Sequence, residues 1–342
     1  MHETKKDGVP TATEPALVDS FARSINYLRL SLTDQCNLRC RYCSPGEGQK
    51  LRRVELLRYE ELLRFIRIAV ALGVRKVRLT GGEPLVRRDV LSFIRDLAAV
   101  PGLADIRITT NGVLLEQHAA GLYASGIRKL NISLDTLRPE RYCEITGADL
   151  FSQVWRGIER AQELGFEKIK LNVVALRGVN DDEFVELARL TLSRPWQVRF
   201  IEFMPVGGAA VWDRGRYIPS AGIMERIGSA LGELAPAADS GISGPARLYR
   251  LPGGLGTLGF ISPISNHFCD RCNRLRLTAE GMLRSCLLSD RQTDLKKILR
   301  GGGDDEAVRR AIIEAIRHKP RGHGLKPGET GDCHGRMSRI GG

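Results

Sequence analysis

The sequence predicts an α/β fold, namely a partial (β/α)6 TIM-type barrel with a smaller C-terminal module. Six short apolar segments alternate with segments of helical pattern, which is typical of parallel βα units with right-handed crossovers. Six strands are too few to close an eight-stranded barrel. In such sheets ligands collect at the C-terminal ends of the strands, so we expect the functional site on that face.

The predicted elements follow one another along the chain. The predicted strands span residues 27–32, 76–80, 105–109, 129–134, 168–174 and 197–203. The predicted helices span residues 59–72, 88–98, 114–125, 151–164 and 182–192. Three glycines occupy the positions expected just after a helix, namely Gly73, Gly126 and Gly165. The cluster Asn180-Asp181-Asp182 is predicted to cap the last helix.

Four regions are predicted along the chain. Residues 1–20 are polar, contain two prolines and are expected to be flexible. Residues 21–215 form the barrel. After about residue 215 the sequence becomes rich in Gly, Ala and Pro, so residues 216–321 are expected to form the smaller module. Residues 322–342 are a glycine-rich tail.

Composition narrows the class of protein. The 342 residues are 42% hydrophobic and 27% charged, which is ordinary for a chain with a full core. The net charge of +12 favours anionic partners, whereas 6% aromatic residues argue against a dedicated nucleic-acid surface. No apolar run resembles a signal peptide or a membrane span, so we expect a cytoplasmic protein without a membrane partner.

Six of the eight cysteines fall into two groups of three, which favours metal binding over disulfides. The first group is Cys36, Cys40 and Cys43, directly after a predicted strand. A zinc site takes four ligands and a 4Fe-4S cluster has four irons, so three thiolates indicate a cluster with one open iron. A zinc loop with a distant fourth ligand and incidental thiols are the alternatives. The C-x3-C-x2-C spacing resembles the signature of radical S-adenosylmethionine (SAM) enzymes, in which the open iron chelates SAM.

The second group of cysteines surrounds a predicted hairpin. It consists of Cys269, Cys272 and Cys286. The alternative for this group is a zinc ribbon completed by His267, Cys333 or His334. Two incomplete groups in one chain are explained more simply by a second cluster with its own open iron.

Clusters typical of turns follow several predicted strands, at residues 81–84, 109–112, 133–135 and 202–205. Their repetition on one face favours a binding site. A further motif, Gly254-x-Gly256-x-x-Gly259, matches a dinucleotide-binding fingerprint. No helix is predicted after it, so we interpret it as a glycine-rich turn. The sequence has no G-x4-G-K-S/T phosphate loop, so side chains would have to hold any nucleotide.

From about Tyr27 onwards the sequence resembles the GTP 3′,8-cyclases, the radical SAM family that opens molybdenum cofactor biosynthesis. Two features carry this resemblance beyond the first cysteine group. They are the run Cys272-Asn-Arg274-Leu-Arg276 and the terminal Gly341-Gly342. The resemblance implies a 4Fe-4S cluster on the first group that binds and reductively cleaves SAM. It also implies a second 4Fe-4S cluster, on the second group, that holds the guanine base of GTP.

The resemblance assigns roles to individual residues. SAM is expected to contact Tyr42, Gly82, Glu83, Ser133 and Met204. GTP is expected to contact Arg29, Arg78, Thr109, Lys170, Arg274 and Arg276. Catalytic roles are expected for the first cysteine group, Arg29, Arg274, Arg276, Gly341 and Gly342.

The reaction follows from the same resemblance. A 5′-deoxyadenosyl radical takes hydrogen from C3′ of the ribose, and C3′ then attacks C8 of guanine. The product, (8S)-3′,8-cyclo-7,8-dihydroguanosine 5′-triphosphate, passes to cyclic pyranopterin monophosphate synthase. An electron donor is a further implied partner, and no nucleic acid is expected. The sequence leaves the oligomeric state open, with a homodimer as one alternative.

Some features fall outside this interpretation. Ser44 follows the third cysteine where the family more often has an apolar residue, and Cys143 and Cys333 match no cluster position. We interpret Cys143 as helix packing and Cys333 as incidental. Two other functions remain as alternatives: a radical SAM enzyme that modifies a peptide, and a basic zinc-bearing nucleic-acid-binding protein. The arginines of the second cysteine group and the diglycine end favour GTP.

Overall fold

A single sheet of 12 strands organises the molecule. The structure, a computed structural model, describes residues 17–43, 50–206, 213–238, 244–325, 333 and 335–341. The strands are β1 (Tyr27–Ser31), β2 (Lys76–Thr80), β3 (Asp105–Thr110), β4 (Lys129–Ser133), β5 (Lys168–Ala175), β6 (Gln197–Glu202), β7 (Ala235–Pro236), β8 (Arg247–Arg250), β9 (Thr257–Ile261), β10 (Arg274–Leu277), β11 (Met282–Arg284) and β12 (Thr293–Asp294). Their order across the sheet is β12-β11-β10-β1-β2-β3-β4-β5-β6-β9-β8-β7.

The strands from β10 through β1 to β6 and on to β9 are all parallel to their neighbours. Antiparallel strands extend the sheet at both ends. In the described part of the chain β12 and β7 do not pair with each other, so the barrel is open. The predicted partial barrel is confirmed, and its six predicted strands correspond to β1–β6 within one residue at each end.

Helices supply the outer layer. They are α1 (Tyr59–Ala71), α2 (Val90–Ala98), α3 (Leu115–Ala124), α4 (Pro139–Thr146), α5 (Phe151–Glu163), α6 (Phe184–Ser193), α7 (Ser220–Leu231), α8 (Leu295–Arg300), α9 (Asp305–Arg317) and α10 (Met337–Ile340). Leu28 and Leu30 of β1 share one hydrophobic core with Leu62 and Phe65 of α1. Because side chains alternate along a strand, Arg29 faces the opposite, inner side of the sheet. No helix among the described residues is long and apolar enough to cross a membrane.

The C-terminal region joins the barrel sheet, which the sequence did not predict. Strand β9 pairs with β6 and strand β10 pairs with β1, so the region after residue 215 supplies strands to both edges of the predicted barrel. The predicted hairpin between the cysteines is confirmed as β10 and β11. The predicted domain boundary near residue 215 stays a prediction.

Helix ends are predicted correctly in three places and incorrectly in one. Gly73, Gly126 and Gly165 follow their helices with φ of 108°, 90° and 77°, the left-handed region that glycine tolerates best. The predicted cap at residues 180–182 is wrong, because α6 begins at Phe184 with Glu183 as its N-cap. The Asn180 side chain instead accepts a hydrogen bond from the Leu176 backbone at 2.9 Å.

The start of the described chain is packed. Residues 1–16 of the predicted flexible segment lie outside the described residues. Residues 17–20, by contrast, belong to a turn in which Ile25 N–H donates to the Leu17 carbonyl at 2.7 Å. Leu17 and Asp19 are buried, so the predicted segment 1–20 extends too far.

The glycine motif at residues 254–259 serves backbone packing. Strand β9 follows directly, which confirms that no helix opens after the motif. A Cβ on Gly256 would lie 2.1 Å from the Trp196 carbonyl oxygen and 2.7 Å from that of Arg194. Only glycine allows these two backbone segments to approach so closely.

Candidate active site

A cavity of about 320 Å³ follows the inner face of the sheet to the C-terminal ends of the strands. Both cysteine groups line it, although they lie far apart in the sequence. Tyr27 and Arg274 lie toward the start of their strands, whereas Gly82, Ser133 and Met204 lie beyond or at the strand ends. The parallel sheet therefore places the residues of both groups around one space.

The first cysteine group lies on the loop after β1. Burial is the largest cause that raises the pKa of Cys40, and the Cys43 and Cys36 thiolates raise it further. Burial likewise raises the pKa of Cys43 to about 12. With pKa values raised in this way the side chains are thiols near neutral pH, and they become thiolates only when a cationic metal group binds them. The group therefore fits an iron-sulfur cluster.

The described residues contain no three Cys, His, Asp or Glu side chains that converge as ligands of one metal ion. His334, which was considered as a zinc ligand, lies outside the described residues. The cysteines of each group line the same cavity without converging on one point.

Glu83 is the one predicted SAM-contacting residue that does not line the cavity. It is fully buried, and its carboxylate accepts hydrogen bonds from the Thr110 hydroxyl at 2.9 Å and from the Asn111 and Leu85 N–H groups at 2.6 and 3.0 Å. Burial raises its pKa to about 7 against the effect of these donors. In the structure Glu83 holds the turn that follows β3.

That turn contacts the first cysteine loop. The Asn111 side-chain amide donates to Asn37 Oδ1 at 2.7 Å and to Cys36 Sγ at 3.6 Å. Leu38 N–H also donates to Cys36 Sγ, at 3.4 Å. Glu83 thus acts on the cysteine loop through Asn111, a residue that the sequence analysis noted only as part of a turn.

Asp135 holds Tyr42 at the cavity wall. The Tyr42 hydroxyl donates to one carboxylate oxygen of Asp135 at 2.6 Å, and Val174 N–H donates to the other at 2.8 Å. Burial raises the pKa of Asp135 to about 6. This pair ties the first cysteine loop to strand β5.

The second cysteine group lies before β10 and after β11. Burial raises the pKa of Cys269. Burial acts in the same direction on Cys272, but the charges of Arg274 and Lys319 outweigh it and lower the pKa of Cys272 to about 6. His267 lines the cavity beside this group.

The two remaining cysteines lie away from the cavity lining. Cys143 belongs to α4 and is half-buried, in line with its interpretation as a packing residue. Cys333 is fully buried, and its thiol donates to the Leu287 carbonyl at 3.3 Å. Arg284 also donates to Cys333 Sγ, at 3.6 Å, so this cysteine is part of the packing rather than incidental.

Four arginines form a row across the inner face of the sheet, which we call the cationic row. Its members are Arg276 of β10, Arg29 of β1, Arg78 of β2 and Arg107 of β3, and each is paired in register with the next. All four are at most 9% exposed. Burial is the main cause that lowers the pKa of Arg29 and of Arg78.

Two buried lysines, Lys170 and Lys76, lie near this row. Burial and the charges of Arg199, Arg107 and Arg78 lower the pKa of Lys170 to about 5. Burial lowers the pKa of Lys76 to about 8. Asp105 offsets part of the charge, since it binds Arg107 and lies 3.8 Å from Lys76. Removing this many cations from water is costly unless an anion accompanies them.

Several polar atoms on the cavity wall have no hydrogen-bond partner among the described residues. They are the Tyr27 hydroxyl, Arg78 Nε, the Thr109 hydroxyl and Asn172 Oδ1. Buried polar groups in folded proteins are almost always paired. Their presence here fits a polar, anionic ligand in the cavity.

The end of the described chain enters the same site. Arg29 Nε and Arg276 Nη1 both donate to the Gly341 carbonyl, at 3.2 and 2.8 Å. Gly341 has φ of 79°, and a Cβ there would lie 2.3 Å from Thr80 Oγ1. Gly342 lies outside the described residues. The described residues 335–341 therefore end inside the barrel.

The other residues predicted to contact SAM or GTP line the cavity, with one exception. The cavity wall includes Tyr42, Gly82, Ser133, Met204, Arg29, Arg78, Thr109, Arg274 and Arg276. Lys170 is buried beside the cationic row but does not line the cavity. Lys76, Arg107 and Arg199 were not predicted as site residues, although Arg107 and Arg199 are basic residues between apolar neighbours in buried strands. That alternation was the available signal.

Comparison with known proteins assigns the chain to a class. The sequence model of the Radical SAM superfamily matches residues 30–191, and the model described as Molybdenum Cofactor Synthesis C matches residues 196–325. The chain is therefore a radical SAM protein with a molybdenum cofactor synthesis region. Membership of this superfamily implies a 4Fe-4S cluster and SAM.

Individual relatives narrow the class further. A GTP 3′,8-cyclase of Pelotomaculum thermopropionicum is 48% identical over 95% of this chain and 99% of the relative. A GTP 3′,8-cyclase of Moorella thermoacetica is also 48% identical, over 95% of this chain and 99% of the relative. The chain belongs to the GTP 3′,8-cyclase family.

A solved structure supports the fold. Streptococcus suis SuiB bound to S-adenosylmethionine superposes with a TM-score of 0.62, at 15% identity, over 86% of this chain and 68% of SuiB. At this identity the likeness concerns the fold alone.

Glu83 should make the stability of the apo-protein depend on pH. A carboxyl whose folded pKa is raised to about 7 stabilises the fold below its unfolded value of about 4.5, and this contribution is lost as the pH rises through 7. Between pH 5 and 7 the unfolding free energy of the wild type should therefore fall, relative to Glu83→Gln, by up to about 1.4 kcal/mol per pH unit. Urea unfolding at each pH measures this difference.

Glu55→Gln is the control for this experiment. Glu55 is only partly buried and its pKa is lowered, chiefly by a hydrogen bond from the Arg52 backbone, so it is ionised in both states across this pH window. The unfolding free energy of Glu55→Gln, plotted against pH, should run parallel to that of the wild type. A parallel curve for Glu83→Gln as well would show that Glu83 does not bind a proton in this window.

Proposed function

We propose that this chain cyclises GTP by joining C3′ of the ribose to C8 of guanine, as the first step of molybdenum cofactor biosynthesis. The product is (8S)-3′,8-cyclo-7,8-dihydroguanosine 5′-triphosphate. One observation carries the proposal: three in-register members of the cationic row, Arg276, Arg29 and Arg78, line a cavity that both cysteine groups also line. That combination suits a nucleoside triphosphate held between two metal groups.

The first cysteine group holds the cluster that activates SAM. When bound, this cluster supplies the electron that cleaves SAM to the 5′-deoxyadenosyl radical, which takes hydrogen from C3′. Gly82, Ser133 and Met204 line the cavity near the strand ends, where they would contact SAM, and Asp135 holds Tyr42 at the cavity wall. Glu83 and Asn111 position the cysteine loop from behind.

The second cysteine group holds a second 4Fe-4S cluster, on Cys269, Cys272 and Cys286. The pKa of Cys272 is lowered because the charges of Arg274 and Lys319 outweigh the effect of burial. A lowered pKa favours the thiolate form that a metal requires. The open iron of this cluster would bind the guanine base. Thr109 contributes a hydroxyl without a partner among the described residues to the same wall.

The cationic row receives the triphosphate. Arg29, Arg78 and Arg276 line the cavity, and guanidinium groups bind phosphate oxygens through paired hydrogen bonds. Arg274 and Arg199 also line the cavity and add to this charge. A peptide substrate, the alternative considered from the sequence, would supply much less negative charge to these buried cations.

The tail closes the site. The Gly341 carbonyl accepts from two arginines that we assign to the triphosphate, so the tail and the substrate share these contacts. By this assignment Gly341 positions Arg29 and Arg276. The catalytic role expected for Gly342, which lies outside the described residues, stays a prediction.

Partners follow from the reaction. An electron donor must reduce the first cluster, and the cyclised nucleotide passes to cyclic pyranopterin monophosphate synthase. A cytoplasmic setting suits the unpaired thiols, which are free cysteines in the structure. The homodimer stays an untested alternative.

Anaerobic reconstitution tests the proposed function. The protein should contain about eight irons per chain, four for each cluster. With SAM, a reductant and GTP it should release 5′-deoxyadenosine and the cyclised nucleotide, identified by mass spectrometry. Zinc at either cysteine group after reconstitution, or 5′-deoxyadenosine without cyclised nucleotide, would contradict the proposal.

GTP binding should take up a proton through Lys170. Its pKa of about 5 leaves it neutral at pH 7, and a triphosphate beside it raises the pKa so that the lysine becomes charged. Calorimetry in buffers of different ionisation enthalpy should show an uptake of about one proton at pH 7 to 8. The uptake should fall to about half near pH 5, where about half of the Lys170 side chains are already protonated, and disappear at lower pH.

The control for this measurement is Lys168→Met, on the same strand. It should keep the proton uptake, whereas Lys170→Met should lose it. Equal binding heats in all buffers for the wild type would mean that Lys170 does not gain a proton with GTP.

Replacing Gly341 should separate cyclisation from SAM cleavage. Alanine at this left-handed position costs about 1 to 2 kcal/mol, and its Cβ would also collide with Thr80. We expect cyclisation in Gly341→Ala to fall at least about tenfold, while the iron content and the reductive cleavage of SAM remain.

Gly324→Ala is the matched control for the tail. Gly324 has a similar φ of 70°, but a Cβ there meets nothing within 4 Å. Its cyclisation rate should stay close to that of the wild type. Near-normal cyclisation in Gly341→Ala would show that the last turn of the tail has no role in the reaction.

A further inference from the structure

A buried lysine lies behind the second cysteine group. Lys319 follows α9 and is 3% exposed. Its ammonium group donates to the Arg274 carbonyl at 2.9 Å and to the Ser285 carbonyl. Neither the cationic row nor the tail involves this residue.

The two carbonyls belong to the chain segments that carry two of the cysteines. Arg274 is two residues after Cys272, and Ser285 directly precedes Cys286. These segments are the outer ends of the hairpin formed by β10 and β11. One ammonium group therefore joins both ends of the hairpin at the point where the cysteines emerge.

The positive charge of Lys319 interacts with the cysteines of the second group. Burial lowers its pKa, and the groups that oppose this effect most are the Cys272 and Cys286 thiolates. Among the described residues no carboxylate forms an ion pair with it. A buried ammonium group without a carboxylate is costly, and the negative charge of thiolates and cluster reduces that cost.

A second buried cation, Arg23, holds the remaining cysteine and the segment after Lys319. Its guanidinium donates to the Cys269 carbonyl at 2.7 Å and to the Pro320 and Arg321 carbonyls at 2.7 and 2.9 Å. Asp19 in turn accepts from Arg23 Nε at 2.6 Å. Lys319 is thereby held between the hairpin and a fixed stretch of backbone, so its ammonium group cannot swing into solvent.

We infer that Lys319 is a positioning residue for the second cluster: its ammonium group joins the segments bearing Cys272 and Cys286 and supplies the positive charge that offsets their thiolates. This inference rests on the second cluster of the proposed function. A fixed positive charge beside a cluster favours its reduced, more negative form, so Lys319 also raises the reduction potential of that cluster.

The test is a redox titration of the anaerobic holoenzyme followed by electron paramagnetic resonance. The signal that changes when SAM is added reports the first cluster, and the signal that changes when GTP is added reports the second. In Lys319→Met the reduction equilibrium of the GTP-sensitive signal should shift about tenfold, or about 59 mV toward more negative potential for one electron. The SAM-sensitive signal should keep its potential.

Two further variants separate charge from packing. Lys319→Arg keeps the positive charge and should restore the potential of the GTP-sensitive signal toward that of the wild type. Lys296→Met removes a lysine that donates to the Glu55 carbonyl at 3.2 Å, outside the cavity lining, and should leave both signals unchanged.

The outcomes distinguish this inference from the proposed function. Loss of the GTP-sensitive signal in Lys319→Met but not in Lys319→Arg also supports the inference. An unchanged potential in Lys319→Met, or the same shift or loss in both Lys319 variants, overturns it. A wild-type protein without any GTP-sensitive signal would refute the second cluster itself, and with it the proposed function.

Discussion

The structure depends on a concentration of buried positive charge inside the barrel. Four arginines lie in register on adjacent strands, with buried lysines next to them, and Asp105 is the carboxylate that pairs with this set. In isolation the arrangement opposes folding, because each cation loses its hydration. It becomes favourable once a polyanion enters. The inner face of the sheet is thus built for a ligand at the expense of the stability of the empty protein.

Three features reduce the net positive charge buried inside the barrel. Lys170 gives up its proton, since burial and neighbouring cations lower its pKa to about 5. Asp105 neutralises part of the charge of Arg107 and Lys76. The Gly341 carbonyl places a partial negative charge between two arginines. The same principle applies behind the second cysteine group, where buried cations face thiolates instead of phosphates.

Local patterns predicted much of this molecule, and tertiary contacts account for what they missed. The six barrel strands and the cysteine groups are encoded in short stretches, so the sequence predicted them. The pairing of Arg29 with Arg276 joins segments that most of the chain separates, and no local pattern encodes it. The cap at Asn180 failed because that side chain bonds to Leu176 and to the Asp135 carbonyl instead. The turn sequence at residues 81–84 likewise did not indicate that the Glu83 side chain is fully buried.

The position of β1 in the sheet has a consequence for synthesis on the ribosome. This strand comes early in the chain, yet one of its two neighbours is β10, which emerges after most of the protein has been translated. Until then one edge of β1 presents unpaired backbone groups, which are a site for wrong pairing with other chains. The two cysteine groups also come together only at this late stage. Both metal groups can therefore be in place only after nearly the whole polypeptide has left the ribosome.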